Sequence, residues 1–404
     1  MTNGYFLGVK PQENKMLLCF RDSETNNLIF SEYGDWHPGV YLITDEIGSK
    51  YFEDVAKRGL KTPQKTIRFK DVEIIKTRYG KFKGKSYAVK MQLEHFNDKN
   101  SLAQALKKSS GGHKMWGIYP DLRLPHEEAF YSENKMGWQK EYELNIEKTD
   151  KRTPDGSIVY ELKSFEPTGK INENIPVLAY DIESDVKSWK TICISFSSPQ
   201  EDRVFMPLPP NYKGSPQEFL NEFVVNNKKY KYIVDKFELD NKLNISQDLQ
   251  AMYNEIGLYT TNAFKKYDVF TGYNIKDYDQ RQWYREFEEL GIKWYGKGGW
   301  PLTLYPVTDV GMEFRDPFTW NFDLLRWVNK GRISTLHLSQ RGLKDIEQLF
   351  DLPPRISGFK SIRAGDVYEN LYKLPLLLGY NIEDCQRARL IAESVIKGVS
   401  NEDL

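Results

Sequence analysis

Val177-Leu178-Ala179-Tyr180-Asp181-Ile182-Glu183 reads as an apolar strand ending in two carboxylates. Side chains two apart on a strand leave the same face, so Asp181 and Glu183 point together and can share one cation. Without a cation or a proton between them they repel, and at least one of the two pKa values rises. Downstream, Thr191 to Phe196 and Arg203 to Met206 flank the polar turn Ser198 to Asp202, which predicts a three-stranded antiparallel meander. Helical patterns follow at Ser215 to Asn226 and at Ile245 to Phe264. A buried strand, Val269-Phe270-Thr271-Gly272, comes next, then a helix from about Asp277 to Leu290 stopped by Gly291. Three strands, helices and a returning parallel strand form the plan of a ribonuclease H-like α/β domain.

Two further elements carry acids. Thr271-Gly272-Tyr273-Asn274-Ile275-Lys276-Asp277-Tyr278-Asp279 runs from the buried strand into a helix that presents Asp279 in its first turn, where the helix dipole favours an ionised carboxylate. Tyr380-Asn381-Ile382-Glu383-Asp384-Cys385 opens a helix to about Ile396, with Tyr380 and Asp384 four apart on one face. Each element alone has an ordinary structural explanation. Asp181 and Glu183 fit a solvent-facing strand end, Asp277 fits an N-cap, and Tyr380 fits a core contact beside a surface acid. The order of the three on a strand, a strand-to-helix junction and a helix is what singles them out.

That order resembles the three exonuclease motifs of family B DNA polymerases, within the larger group of exonucleases that use four acidic residues and a tyrosine. The resemblance implies that Asp181, Glu183, Asp279 and Asp384 bind two divalent ions and that Tyr380 orients the attacking water. Asn274 would support the second motif and, with Tyr278, contact DNA; the family more often has Phe where Tyr278 stands. Asn321-Phe322-Asp323-Leu324-Leu325, a Leu-rich helix over Leu338 to Leu352, and Arg355 to Leu371 are similar to the stretch between the second and third motifs. More loosely, Trp116-Gly117-Ile118-Tyr119-Pro120-Asp121 and Gly137-Trp138 resemble the domain that precedes the exonuclease. The palm motifs of the family do not occur in the chain. The expectation is either a polymerase split between two polypeptides or a longer enzyme cut after its exonuclease.

The implied chemistry is phosphodiester hydrolysis by two metals roughly 3.5 to 4 Å apart. One ion, held mainly by Asp181, Glu183 and Asp384, would activate water beside Tyr380; the other, shared by Asp181 and Asp279, would steady the leaving oxygen. An all-oxygen ligand set points to Mg2+ or Mn2+ rather than zinc. The expected partners are DNA, as a single-stranded 3′ end or a primer-template, and a polypeptide bearing palm, fingers and thumb. Two other readings stay open: a catalytically silent DNA-binding or docking module of a split polymerase, and a ribonuclease of the same fold.

The 404 residues suggest two domains, placed at 1–168 and 169–404. The first is expected to be a β-rich α+β domain, with strand character at Lys15 to Phe20, Gly39 to Thr44 and Ser86 to Leu93. Its hairpin turns at Thr153-Pro154-Asp155-Gly156, a flexible loop lies at Ser109 to Gly112, and a connector spans Pro167 to Pro176. Net charge is +0, so a polyanion surface requires segregation. Between Lys57 and Lys90 stand twelve Lys or Arg residues against Asp71 and Glu73, interleaved with Phe69, Tyr79, Phe82 and Tyr87. This stretch is either a solvated β face or a nucleic-acid surface. Cys19, Cys193 and Cys385 are too scattered for a disulfide framework or structural zinc. The five histidines form no spaced set. No apolar run reaches the ~20 residues of a membrane span, and no signal peptide is evident, so a cytoplasmic location is expected, host cytoplasm for a viral protein. The loop Tyr295 to Trp300 reads as a disordered surface loop or a stacking platform.

Overall fold

The computed structural model describes residues 1–12, 15–34, 37, 39–76, 87–95, 98, 101–102, 105, 116–118, 130, 134–185, 188–226, 228–306, 312–329, 342–355, 364, 367–368 and 371–400. Residues 77–86 of the basic stretch, the 109–112 loop, residues 119–121, His113, His126 and His337 lie outside the described residues. So do the start of the expected 338–352 helix and most of 356–370. The chain divides into two units, Met1–Arg152 with Ile158–Ile171, and Thr153–Ser157 with Asn172–Leu404. No described helix is long and apolar enough to cross a membrane.

Strands of the first unit are β1 (Thr2–Gln12), β2 (Lys15–Asp22), β3 (Leu28–Tyr33), β4 (Gly39–Thr44), β5 (Leu60–Lys61), β6 (Thr66–Ile67), β7 (Phe69–Lys76), β8 (Tyr87–Leu93), β9 (Trp116–Ile118), β10 (Lys140–Arg152) and β11 (Ile158–Ile171). β1, β10, β11, β3 and β2 close into a barrel. Phe6, Phe20 and Tyr142 are buried in its core with ring centroids 5.4 to 6.4 Å apart, which makes that core a packed aromatic cluster. A second sheet runs β7-β8-β4-β9. The helix Glu46–Arg58 buries Phe52 and Val55 in the same core as Val89 and Met91 of β8. Asp45 caps that helix by accepting from the Gly48 N–H at 2.8 Å. β11 extends to Ile171, with Pro167 opposite Tyr142, so the expected connector from Pro167 to Pro176 shortens to residues 172–176. Its polarity misled because β11 is largely exposed there.

The second unit holds a six-stranded sheet, order β15-β14-β13-β12-β16-β19, from β12 (Val177–Ser184), β13 (Thr191–Ser197), β14 (Asp202–Pro207), β15 (Leu243–Ser246), β16 (Val269–Gly272) and β19 (Trp320–Asp323). A separate pair, β17 (Thr303–Pro306) and β18 (Met312–Arg315), is antiparallel. β12, β13 and β14 form the predicted meander, and β16 returns parallel to β12 with Ala179 opposite Thr271. β15 and β19 were not foreseen: Ile245 lies in β15, and the helix read from Ile245 instead spans Leu249–Lys266, capped by Asp248. Leu178, Tyr180 and Ile182 enter one core with Trp283, whose indole stacks on Tyr180 at 4.6 Å. The other face packs against the helix Leu374–Ser400.

Candidate active site

Alternation along β12 sends Tyr180 and Ile182 into the core and leaves Asp181 and Glu183 on the opposite face, both partly open. β16 pairs β12 only as far as Ala179, and beyond that the Ile182 N–H is bound by Asp279 Oδ1 at 2.7 Å. This bond ties the second acid-bearing element to the strand between the first two acids. Asp279 is the first residue of the helix Asp279–Leu290 and is buried. Tyr278, rather than Asp277, takes the N-cap position, while Asp277 pairs with Arg326 at 2.8 Å. The turn into this helix depends on close contact. A Cβ on Gly272 would stand 2.6 Å from the Tyr180 carbonyl oxygen. Asn274 adopts φ 63°, a left-handed conformation that Asn tolerates.

The third element begins earlier than its sequence indicated. The helix starts at Leu374, with Pro375 in its first turn where the missing N–H costs nothing. Asn381 Nδ2 donates to Asp181 Oδ2 at 2.6 Å. Tyr380 donates its hydroxyl hydrogen bond to Asp384. Thus Asp181, Glu183, Asp279 and Asp384 lie within electrostatic reach of one another, with Tyr380 bonded to Asp384. Tyr278 is not free there, because its hydroxyl meets Ser184 Oγ at 2.7 Å.

The electrostatics follow from this crowding. Burial, then Asp279, Glu183 and Asp384, push the Asp181 carboxyl far above the ordinary range, with Asn381 offsetting part. Burial and Asp384 raise Glu183 to about 8. Asp279 is raised by burial, opposed by the Ile182 N–H. Asp384 is raised by burial, opposed chiefly by Arg355. The Tyr380 hydroxyl is pushed up by burial and Asp384, so it stays protonated.

Three neighbours escaped the sequence reading. Arg355 Nη1 binds Asp384 Oδ1, and its Nε reaches both oxygens of the buried Glu347 at 3.0 and 3.1 Å. Lys344 Nζ lies 5.0 Å from the Tyr380 ring centroid. Asn381 stood beside a named residue, but Arg355 followed a Pro-Pro pair with nothing to link it to an acid. A cleft of about 410 Å3 is lined by Asp181, Tyr273, Lys344, Arg355, Tyr380 and Asp384 among others. Among the described residues no group of three or more His, Cys, Asp or Glu side chains is placed to hold a metal ion. One oxygen each of Asp181, Asp279 and Asp384 is taken by Asn381, the Ile182 N–H and Arg355. In chemical kind, four converging carboxylates suit a hard divalent cation.

No protein-family model and no curated protein matches the chain. Among solved structures, the chain is similar to the family B DNA polymerase from the hyperthermophilic archaeon Pyrobaculum calidifontis, with a TM-score of 0.63 over 97% of this chain at 14% identity. The fold is family B polymerase-like. The chain spans 46% of the length of that polymerase.

Cys19, Cys193 and Cys385 are buried thiols outside any disulfide, and Cys385 donates to the Ser195 carbonyl. The loop Tyr295 to Trp300 is not a loose surface loop. Lys297 is fully buried and donates to the Tyr267 carbonyl at 2.6 Å and Thr319 Oγ1 at 2.9 Å, which pins the loop inside the unit. In place of the Leu-rich helix, the described part of 338–352 holds the short helix Leu343–Ile346 and the 3-10 turn Glu347–Phe350.

Proposed function

We propose that this chain carries a 3′→5′ DNA exonuclease that works as part of a family B DNA polymerase. On this reading residues 169–404 form a ribonuclease H-like domain that removes nucleotides from a single-stranded 3′ end. The observation that carries it is that Asp181, Glu183, Asp279 and Asp384, from a strand and two helices, act on one another electrostatically, with the Tyr380 hydroxyl bonded to Asp384. A structural core has no use for four crowded carboxylates, because each raises the cost of ionising the next.

The four acids would hold Mg2+ or Mn2+, two ions on this reading. Bound there, such ions supply a nucleophile at neutral pH and stabilise charge on the leaving 3′-oxygen. The chain's own residues do the rest. Tyr380, kept protonated, donates to Asp384 and would orient a water by accepting one of its O–H groups at the same hydroxyl oxygen. Asp279 is anchored on the Ile182 N–H, which fixes its carboxylate beside the strand that carries Asp181 and Glu183. Lys344 and Arg355 give the cleft a cationic wall for phosphate. A palm-bearing polypeptide and a primer-template are the proposed partners.

A 5′-labelled single strand and a mismatched primer-template, each with Mg2+ or chelator, test this. Stepwise shortening from the 3′ end that requires metal, and falls by a factor of at least ~10^3 in Asp181→Ala/Glu183→Ala, is the expected result. One observation favours a second reading, a silent DNA-binding or docking module: Arg355 holds Asp384 where a metal would need it. Binding of the strand without shortening at saturating Mn2+ would select that reading. Faster loss of RNA than of DNA would select a ribonuclease.

A further inference from the structure

We propose that Lys228-Lys229-Tyr230-Lys231-Tyr232 and Leu371-Tyr372-Lys373 together form a track for single-stranded DNA leading to the cleft at Tyr380. The track rests on the reading that the cleft receives a DNA 3′ end. Its two segments are distant in sequence and adjacent in space. Lys228–Tyr230 is a 3-10 turn that runs into the helix Lys231–Phe237, and Leu371–Lys373 is a 3-10 turn that runs into Leu374–Ser400. They meet at Lys229, whose Nζ lies 5.4 Å from the Tyr230 ring centroid and 5.7 Å from that of Tyr372. Lys373 Nζ lies 5.9 Å from the Tyr372 centroid.

The exposure of these groups is what a folded core does not require. Tyr232 is 51% exposed and Tyr372 50%, although both belong to well-formed helical turns. Lys231 pairs with Asp235 at 3.0 Å, but among the described residues Lys228, Lys229 and Lys373 meet no carboxylate. The half-open Tyr372 ring beneath two ammonium groups, with the half-open Tyr232 ring on the adjoining helix, matches what a single strand asks for: faces on which bases stack and cations for its phosphates. A solvated lysine face would not hold tyrosines open, and a protein-docking face would be expected to bring apolar area of its own.

The position of the track favours DNA as occupant. From Leu374 to Tyr380 the helix rises about 9 Å, or two to three nucleotides at ~3.4 Å per strand residue. The helix that carries Lys231 and Tyr232 is seated against the residue before Tyr380, since a Cβ on Gly379 would stand 2.7 Å from Ile233 Cγ2. A strand with its 3′ end in the cleft therefore has its next nucleotides over Tyr372 and Tyr232.

The test compares the full chain with Lys229→Ala/Tyr232→Ala/Tyr372→Ala by fluorescence anisotropy, in chelator, on labelled oligothymidylates of about 2 and about 16 nucleotides. The wild-type chain is expected to bind the longer strand more tightly. The variant is expected to lose about tenfold or more on the longer strand and little on the shorter, with a log–log salt slope smaller by about 0.7. Lys229→Ala/Tyr232→Phe/Tyr372→Phe, which keeps the rings, is expected to recover most of the length dependence. Unchanged affinity of the triple alanine variant for the longer strand overturns the track and leaves a protein contact as the use of this surface. Equal losses on both lengths also overturn it, because they indicate a damaged cleft. The two readings fail separately. Absence of metal-dependent shortening by the wild-type chain would remove the exonuclease and leave length-dependent binding standing, whereas shortening with unaltered variant affinity would remove only the track.

Discussion

Asp384 is held by one cation of the protein itself. The Arg355 guanidinium spans Asp384 and Glu347, so neither carboxylate is left as an uncompensated buried charge. Replacing it by methionine strands both acids, and Arg355→Met is expected to lose about 3 to 5 kcal/mol of stability in chelator. Millimolar Mg2+ should restore a good part of that loss, because a divalent ion can then neutralise Asp384. Chemical denaturation with and without metal measures it, and an equal loss in both conditions would count against Asp384 as a metal ligand. Glu183 gives a pH signature for the metal-free protein. Its folded value, about 8, exceeds the ordinary 4.5, so the folded state keeps the proton longer than the unfolded chain does. The corresponding stability is full below about 4.5 and is lost as pH rises through about 8. In chelator the melting temperature should fall between about pH 4.5 and about pH 8, and Glu183→Gln should flatten that fall. A midpoint that climbs over this window would contradict the assigned environment.

Gly379 marks the element scale, since it lets the helix Lys231–Phe237 approach the C-terminal helix. An added methyl would meet Ile233 and Phe237, at 2.7 and 3.1 Å. Gly379→Ala is expected to cost about 1 to 3 kcal/mol as an overpacked contact. Because the displaced helix carries Tyr380 and Asp384, cleavage should fall more than stability alone explains; full activity in a folded Gly379→Ala chain would show that the helix position is not critical. Sequence patterns revealed the elements that carry a period or a punctuation mark. The β12 to β14 meander announced itself by apolar runs with polar turns, and the helix Asp279–Leu290 by its Gly291 stop, which takes the left-handed φ of 65°. β15 and β19, four residues each, carried too little pattern, and Ile245 fitted a helix equally well. Lys297 was hidden for another reason. A lysine beside glycines reads as solvent-exposed until Tyr267, Asp268 and Thr319 are brought around it.

The whole molecule has two units with separate cores, the barrel aromatics in one and the two faces of the six-stranded sheet in the other. Separate cores allow separate cooperative transitions. Calorimetry in chelator is therefore expected to resolve two transitions, and Mn2+ with an oligothymidylate should raise only one, by mass action on the unit that holds the acids. A shift of both together would mean that the units unfold as one body. The basic stretch from Lys57 to Lys90 belongs to the other unit, so its neutralisation should leave the metal-dependent shift intact.

Residue identity and local spacing were enough to order the acids and to give each its host element. Asp181 and Glu183 share a face by the period of a strand, Tyr380 and Asp384 by that of a helix, and both periods are properties of the backbone. The meeting of those faces needed three-dimensional packing, because it depends on where β16 ends, on the space at Gly272 and Gly379, and on the Asp279 bond to the Ile182 N–H. The same holds for Arg355 on Asp384 and for Lys229 between two tyrosines. These contacts join residues far apart along the chain, and no local propensity carries information about a partner that only chain folding brings within reach.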